Sequence, residues 1–254
     1  MNLKKEKKVL LLAANQASKV LLNHFGKKEA FKEKPNKSLV GIADTEANKA
    51  IIKIIKKNFP NHGILSEETG LDDKKSDYQW IIDPLDGTHN FLRGIPFFGT
   101  SIALEYKKEL VLGVMQFPVL RLAAVAEKGK GAFLNGKKLK VSDKKRIEYA
   151  FILFEYSSGS REETIGFLKK IINETFDARN FGSAIYHLLL VASGQCDCYV
   201  VFHTNPWDIA AGFLIVEEAG GKITDLNGSK YNLQKKEFII SNGKIHNKIL
   251  KYVK

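Results

Sequence analysis

The residues Trp80-Ile81-Ile82-Asp83-Pro84-Leu85-Asp86-Gly87-Thr88 restrict what this chain can become more than any other stretch. An apolar strand runs straight into an aspartate, so Asp83 stands at a strand end, half embraced by the core. Proline has no N–H for a ladder, and pairing is predicted to stop at Pro84. Asp86 and Gly87 then suit a turn, and Thr88 can open a short helix. Such a turn can aim two carboxylates and the Leu85 carbonyl at one point. It also leaves the amides of Gly87 and Thr88 free to cradle a phosphate. Taken alone, the same residues could equally be an ordinary tight turn.

Other acids stand in comparable places. Ser66-Glu67-Glu68 follows the short apolar strand Ile64-Leu65. Asp44 precedes Ala47 and Ile51 by three and seven residues, in line with the buried stripe of a helix over 43–57. Asp208 follows Pro206-Trp207 and precedes Ala211, Gly212, Ile215 and Ala219, again on an apolar face. Either aspartate could simply cap its helix. Capping alone does not explain why five acids all mark the edges of buried elements. If Glu67, Asp83, Asp86 and Asp208 converge, they need a cation, because two carboxylates about 4 Å apart repel by roughly 1–4 kcal/mol. Oxygen-only ligands favour magnesium, calcium or manganese over zinc, and magnesium is the usual partner of a phosphate.

Periodicity sets the surroundings. Helices are predicted over 3–26, 43–57, 161–174, 183–193, 207–219 and 243–253. Strands are predicted at 64–65, 80–82, 99–106, 110–117, 122–127 and 131–134, with an Asn135-Gly136 hairpin turn after the last of these. The second half alternates, with strands at 149–155, 177–180, 196–202 and 237–241. A meander followed by alternating elements implies α+β architecture with mixed sheets and a soft boundary near 145–150. The chain is therefore expected to divide into an N-terminal lobe, 1–148, that carries most of the acids and a C-terminal lobe, 149–254, that supplies Asp208.

Composition removes several alternatives. At 254 residues and 44% apolar, the chain can bury a substantial core. No apolar stretch approaches the roughly 20 residues of a membrane span. Lys4 to Ala14 resembles a signal peptide only until Asn15 and Gln16 interrupt it, so a mature helix in a cytoplasmic protein is expected. Cys196 and Cys198 are read as buried free thiols. The formal charge of +12 comes from 35 lysines and five arginines scattered without aromatic interleaving. That pattern suits a solvated surface, with phosphate steering or nucleic-acid contact as the alternative. Gly129-Lys130-Gly131 begins like a dinucleotide loop, but Leu134 stands where a third glycine belongs. None of the six histidines lies four residues from another.

Taken together, Trp80 to Phe91 resembles the first signature of the inositol-monophosphatase superfamily, Asp-Pro-hydrophobic-Asp-Gly-Thr. Trp207-Asp208-Ile209-Ala210-Ala211-Gly212, continuing to Gly221, resembles the second, with Glu67 and Asp44 correctly spaced upstream. The resemblance implies a five-layered αβαβα sandwich of the sugar-phosphatase type, commonly a homodimer. It implies two or three Mg2+ ions held by Glu67, Asp83, the Leu85 carbonyl, Asp86 and Asp208. Thr88, oriented by Asp44, would polarise the attacking water, with Glu68 supporting the metal shell. Asp86, Gly87, Thr88, Gly182, Ser183 and Ala184 would contact the substrate, a small phosphorylated metabolite. Many inositol-preferring members carry a glutamate seven residues before the second-motif aspartate, and here that residue is Val201. The expected substrate is a sugar or polyol phosphate such as inositol 1-phosphate or fructose 1,6-bisphosphate. The alternatives are 3′-phosphoadenosine 5′-phosphate, histidinol phosphate, or a basic RNA- or protein-binding role on a phosphatase scaffold.

Overall fold

The computed structural model describes residues 2–27, 31–33, 39–156 and 159–253, except the side chains of 32, 33, 39 and 40. In chain order it opens with α1 (Lys4–His24), β1 (Phe31–Glu33), β2 (Leu39–Gly41) and α2 (Ile42–Asn58). Next come β3 (Gly63–Ser66), β4 (Gly70–Asp72), β5 (Tyr78–Asp86) and α3 (Thr88–Leu92). A meander follows through β6 (Gly99–Tyr106), β7 (Glu109–Phe117), β8 (Leu122–Glu127), β9 (Ala132–Leu134) and β10 (Lys137–Lys138). The remainder alternates: β11 (Phe151–Phe154), α4 (Arg161–Ile171), β12 (Asp177–Arg179), α5 (Ala184–Ala192) and β13 (Cys198–Val201). It finishes with α6 (Pro206–Glu218), β14 (Lys222–Thr224), β15 (Phe238–Ser241) and α7 (His246–Ile249).

Strand alternation decides the layers. Successive side chains of a strand face opposite ways. On β5, Trp80 and Ile82 enter one apolar cluster with Leu10, Ala14, Ile51 and Ile55, whereas Ile81 enters a second with Leu188, Ala211 and Ile215. The first cluster seats α1 and α2 on the outer face of an eight-stranded sheet, ordered β10-β9-β8-β7-β6-β5-β3-β4. The second fills the space between that sheet and a five-stranded one, ordered β12-β11-β13-β15-β14. A third packs Phe167 and Ile171 of α4 and Ile249 of α7 beneath Ile152, Val200 and Ile239. The outcome is an α+β fold in five layers, αβαβα. Each fully buried Leu, Ile or Phe contributes roughly 1.5–3 kcal/mol to this arrangement.

The central helices are apolar all round because sheets cover both their sides. Ile209 through Val216 are buried without a break in α6. Gly212 lets α6 approach α5, since a Cβ there would lie 2.3 Å from Leu188 Cδ1. Cys196 and Cys198 are free and buried, and burial pushes the Cys196 thiol up to about 12. The Asn135-Gly136 turn has both residues at positive φ, 48° and 81°, as a two-residue hairpin requires.

Three expectations need correction. Pairing does not stop at Pro84: Asp83 pairs with Ser101, and the ladder resumes with Asp86 opposite Gly99. The extra residue is a bulge that absorbs the proline. The helix expected over 243–253 is regular only at His246–Ile249, and the strand expected from 149 is preceded by a 3-10 turn at Ile147–Tyr149. The short strands β1, β2, β4 and β14 carry too few residues for a periodic signal.

Candidate active site

The bulge in β5 is where the chemistry starts. Asp83 Oδ1 accepts the Leu85 N–H at 3.0 Å, an Asx turn that fixes the carboxylate at the sheet's end. Glu67 arrives on the neighbouring strand: β3 runs parallel to β5 with Ser66 opposite Ile82, and the Glu67 amide donates to the Ile82 carbonyl at 3.1 Å. Asp208 comes from the far end of the sequence on the first turn of α6. Its Oδ2 accepts from the Asn205 amide at 2.8 Å and the Thr204 hydroxyl at 3.1 Å. One oxygen from each of Glu67, Asp83 and Asp208 lies within 4.8 Å of the other two.

Like charges at this spacing cannot all ionise in a buried setting without a cation. Burial pushes Asp83 well above the usual carboxylate range, and Glu67, Asp86 and Asp208 reinforce the shift. Burial, then Glu67, raises Asp208 from 3.8 to about 7. An all-oxygen, acid-rich donor set, with Asp83 buried and Glu67 and Asp208 half-buried, fits a hard divalent cation and suits zinc poorly. Asp86, expected in the same set, is also tied to the segment that opens α5. It accepts the Ser183 hydroxyl and the Ala184 amide, the latter at 3.1 Å. Burial nonetheless raises it well above its ordinary value, the Ser183 bond opposing, with Asp208 and Glu155 adding repulsion.

Beside these acids, Thr88 Oγ1 lies 3.3 Å from Asp44 Oδ1 and 3.1 Å from the Leu85 carbonyl. Its single proton serves one of them at a time. Asp44 does cap α2, accepting the Gly41 amide at 2.9 Å, so capping and site geometry share one carboxylate. Burial, with Glu68 and Glu67 facing it, lifts Asp44 to about 7. Gly87 has φ 80°, and a Cβ there would meet the Phe97 carbonyl at 2.7 Å, so only glycine fits the turn that presents Thr88.

Sequence reasoning missed the residues that join the halves. The Asn90 amide lies 2.8 Å from the Phe97 carbonyl, 2.7 Å from that of Phe181 and 3.2 Å from that of Gly182, tying the β5 motif to the segment before α5. His187 is fully buried, takes the Phe181 N–H on Nε2, and is held neutral by burial, its pKa pushed down to about 3. Glu155 is half-buried and accepts the Tyr199 hydroxyl. Asn90 stood inside the quoted motif but had no charge to mark it. Glu155 and Tyr199 carried no local signal. A cavity of about 710 Å3 lined by Glu105, Lys128, Glu217 and Tyr231 opens elsewhere, and none of these site carboxylates lines it.

Fold and site define a class: layered α+β hydrolases that gather carboxylates from distant segments around a cation beside a backbone cradle. The chain matches the Inositol monophosphatase family over residues 2–254. It is 40% identical to the fructose-1,6-bisphosphatase/inositol-1-monophosphatase of Thermotoga maritima over 236 residues, covering 92% of this chain and 90% of that protein. It is 34% identical to the Nus factor SuhB of Pseudomonas aeruginosa, covering 95% of this chain and 93% of that one. The crystal structure of the extragenic suppressor protein suhB from Bartonella henselae superimposes with a TM-score of 0.94 at 34% identity over 99% of both chains. This chain belongs to the inositol monophosphatase family, and it is a phosphomonoesterase. The family is metal-dependent, in keeping with the acidic cluster. Among the described residues, no helix is long and apolar enough to cross a membrane.

Proposed function

We propose that this chain is a magnesium-dependent phosphatase of a small sugar or polyol phosphate, inositol 1-phosphate or fructose 1,6-bisphosphate in type. The carrying observation is the mutual approach of Glu67, Asp83 and Asp208 within 4.8 Å, next to Thr88 and Asp44. Glu67, Asp83 and Asp208 would hold the metal, with Asp86 and the Leu85 carbonyl completing the donor set and Glu68 supporting it. Bound magnesium neutralises phosphate charge and acidifies an attacking water. Thr88 Oγ1 orients that water by donating its own proton to Asp44 Oδ1. Burial lifts Asp44 to about 7, so its carboxylate is basic enough to take that proton near neutral pH, where general-base work is most effective. The Gly87 and Thr88 amides hold the phosphate, and Gly182, Ser183 and Ala184 form the wall beside Asp86. The name of the Thermotoga maritima relative supports both substrate types.

We read residues 1–148 and 149–254 as two lobes of one phosphatase unit, which acts in the cytoplasm as a homodimer. Phosphate release from a panel of sugar and nucleotide monophosphates is the test. Release with magnesium and none with a chelator is expected, with sugar or polyol esters preferred by kcat/KM. Preference for 3′-phosphoadenosine 5′-phosphate or histidinol phosphate would replace the substrate assignment.

A second reading has its own support in the charge of +12 and in the relative named Nus factor SuhB. In it the chain also binds RNA or protein. Affinity for RNA that falls steeply with salt and survives Asp83→Asn would favour it; salt-insensitive or absent binding removes it.

A further inference from the structure

Glu155 is a half-buried acid that the phosphate chemistry above does not use. It follows β11 directly, and the register sets Phe154 opposite Val200 on β13, which runs parallel. β12 also runs parallel to β11. The carboxyl ends of three neighbouring strands therefore share one crest, made of Glu155, the segment 180–183 and the segment 202–204. Crevices outside the carboxyl ends of parallel strands are where α/β sheets take ligands.

This crest meets the catalytic carboxylates. From it Ser183 and Ala184 reach Asp86, and Thr204 reaches Asp208. Glu155 is near enough to both aspartates for its charge to bear on theirs. Its orientation is imposed from below, where the hydroxyl of fully buried Tyr199 donates to Glu155 Oε2. The Tyr199 ring packs against His187 with centroids 4.8 Å apart, so the donor is itself held in place. Val201, at the end of the adjacent strand, is fully buried and has no acceptor to offer. A carboxylate has room for about four hydrogen bonds, and Tyr199 occupies one position.

We propose that Glu155 is a specificity residue: its carboxylate, oriented by Tyr199, accepts hydrogen bonds from hydroxyl groups on the alcohol part of the substrate ester. The assignment deepens the phosphatase reading and rests on it. It makes the enzyme discriminate by hydroxyl content. An ester without hydroxyls leaves this half-buried acceptor unmatched, and such mismatches discriminate more strongly than a missing methylene does.

The test compares Glu155→Ala and Glu155→Gln with the unaltered full chain, with magnesium, on inositol 1-phosphate and on phenyl phosphate, which carries no hydroxyl. Removing a charged acceptor should lower kcat/KM for inositol 1-phosphate by about 10- to 100-fold. Phenyl phosphate turnover shares only the charge that Glu155 exerts on Asp86 and Asp208, so its loss should be at least about fivefold smaller than the loss on inositol 1-phosphate. Glu155→Gln keeps an acceptor and should fall between. Tyr199→Phe, which loosens the orientation, should show the same selective loss in weaker form. Phenyl phosphate turnover and thermal melting report whether each variant is folded. Equal losses on both esters would assign Glu155 to the carboxylate cluster or to the fold, and no loss on either would remove it from the substrate; each overturns the proposal. An unaltered chain that hydrolyses neither ester would sink the phosphatase reading itself, a separate outcome.

Discussion

Asp83→Asn should make the metal-free protein more stable at pH 8 while abolishing catalysis. Asparagine keeps the Oδ1 acceptor for the Leu85 amide, so the bulge survives. What disappears is one of three charges within 4.8 Å of each other. At that distance each pair repels by about 1 kcal/mol in water and about 3.5 kcal/mol at an effective dielectric of 20. The pH window follows from the titrations. Asp208 rises from 3.8 to about 7, and Asp83 rises in the same direction. A carboxyl whose folded value exceeds its unfolded value binds its proton more tightly when folded. The metal-free fold therefore loses stability as pH climbs from about 4 toward 7, at up to 1.4 kcal/mol per pH unit per group. At pH 8 removing Asp83 relieves two repulsions of about 1–3.5 kcal/mol each, and relaxation reduces them, so a gain of about 2–4 kcal/mol is expected for the variant. At roughly 2 °C per kcal/mol for a chain of this size, Tm should rise by about 4–8 °C. Differential scanning calorimetry in chelator, at pH 5 and pH 8, measures this. The gap between the variant and the natural chain should narrow to about 1.6 kcal/mol or less at pH 5, and added magnesium should stabilise the natural chain more. A natural metal-free protein as stable at pH 8 as at pH 5, or a variant less stable than it at pH 8, would refute the electrostatic account.

Two further outcomes follow from the same geometry. Thr88→Ala removes the hydroxyl that meets Asp44 and should cut kcat by about 100- to 10,000-fold with little change in KM, as loss of a proton-handling group does; steady-state kinetics on the preferred ester reads it. Gly212→Ala places a Cβ 2.3 Å from Leu188 Cδ1 and should cost about 1–3 kcal/mol of stability by overpacking, seen as a lowered midpoint in urea.

The acids were legible because their positions are local facts. Glu67 directly follows the apolar strand β3, Asp83 follows the apolar run Trp80–Ile82 within β5, and Asp44 and Asp208 sit in the first turns of amphipathic or apolar helices, so strand and helix periods alone mark them as facing a buried edge. Layered α+β architecture with mixed sheets was readable from the alternating and helical patterns, whereas the five layers came only from the family resemblance. The reading went astray at Pro84, where a bulge allowed pairing to resume, and at edge strands too short to carry a period.

Sequence by itself therefore determined which acids stand at the edges of buried elements, because the ends of apolar runs and helix caps are set by neighbours within a turn or two. Tertiary structure alone decided how they are shared. Asp86 turns to Ser183, 97 residues away, and Asn90 reaches Phe181 across 91. Glu155 gains its place only through the parallel register of β11 with β13. Contacts of that span depend on the packing of whole layers, and no stretch of neighbouring residues encodes them.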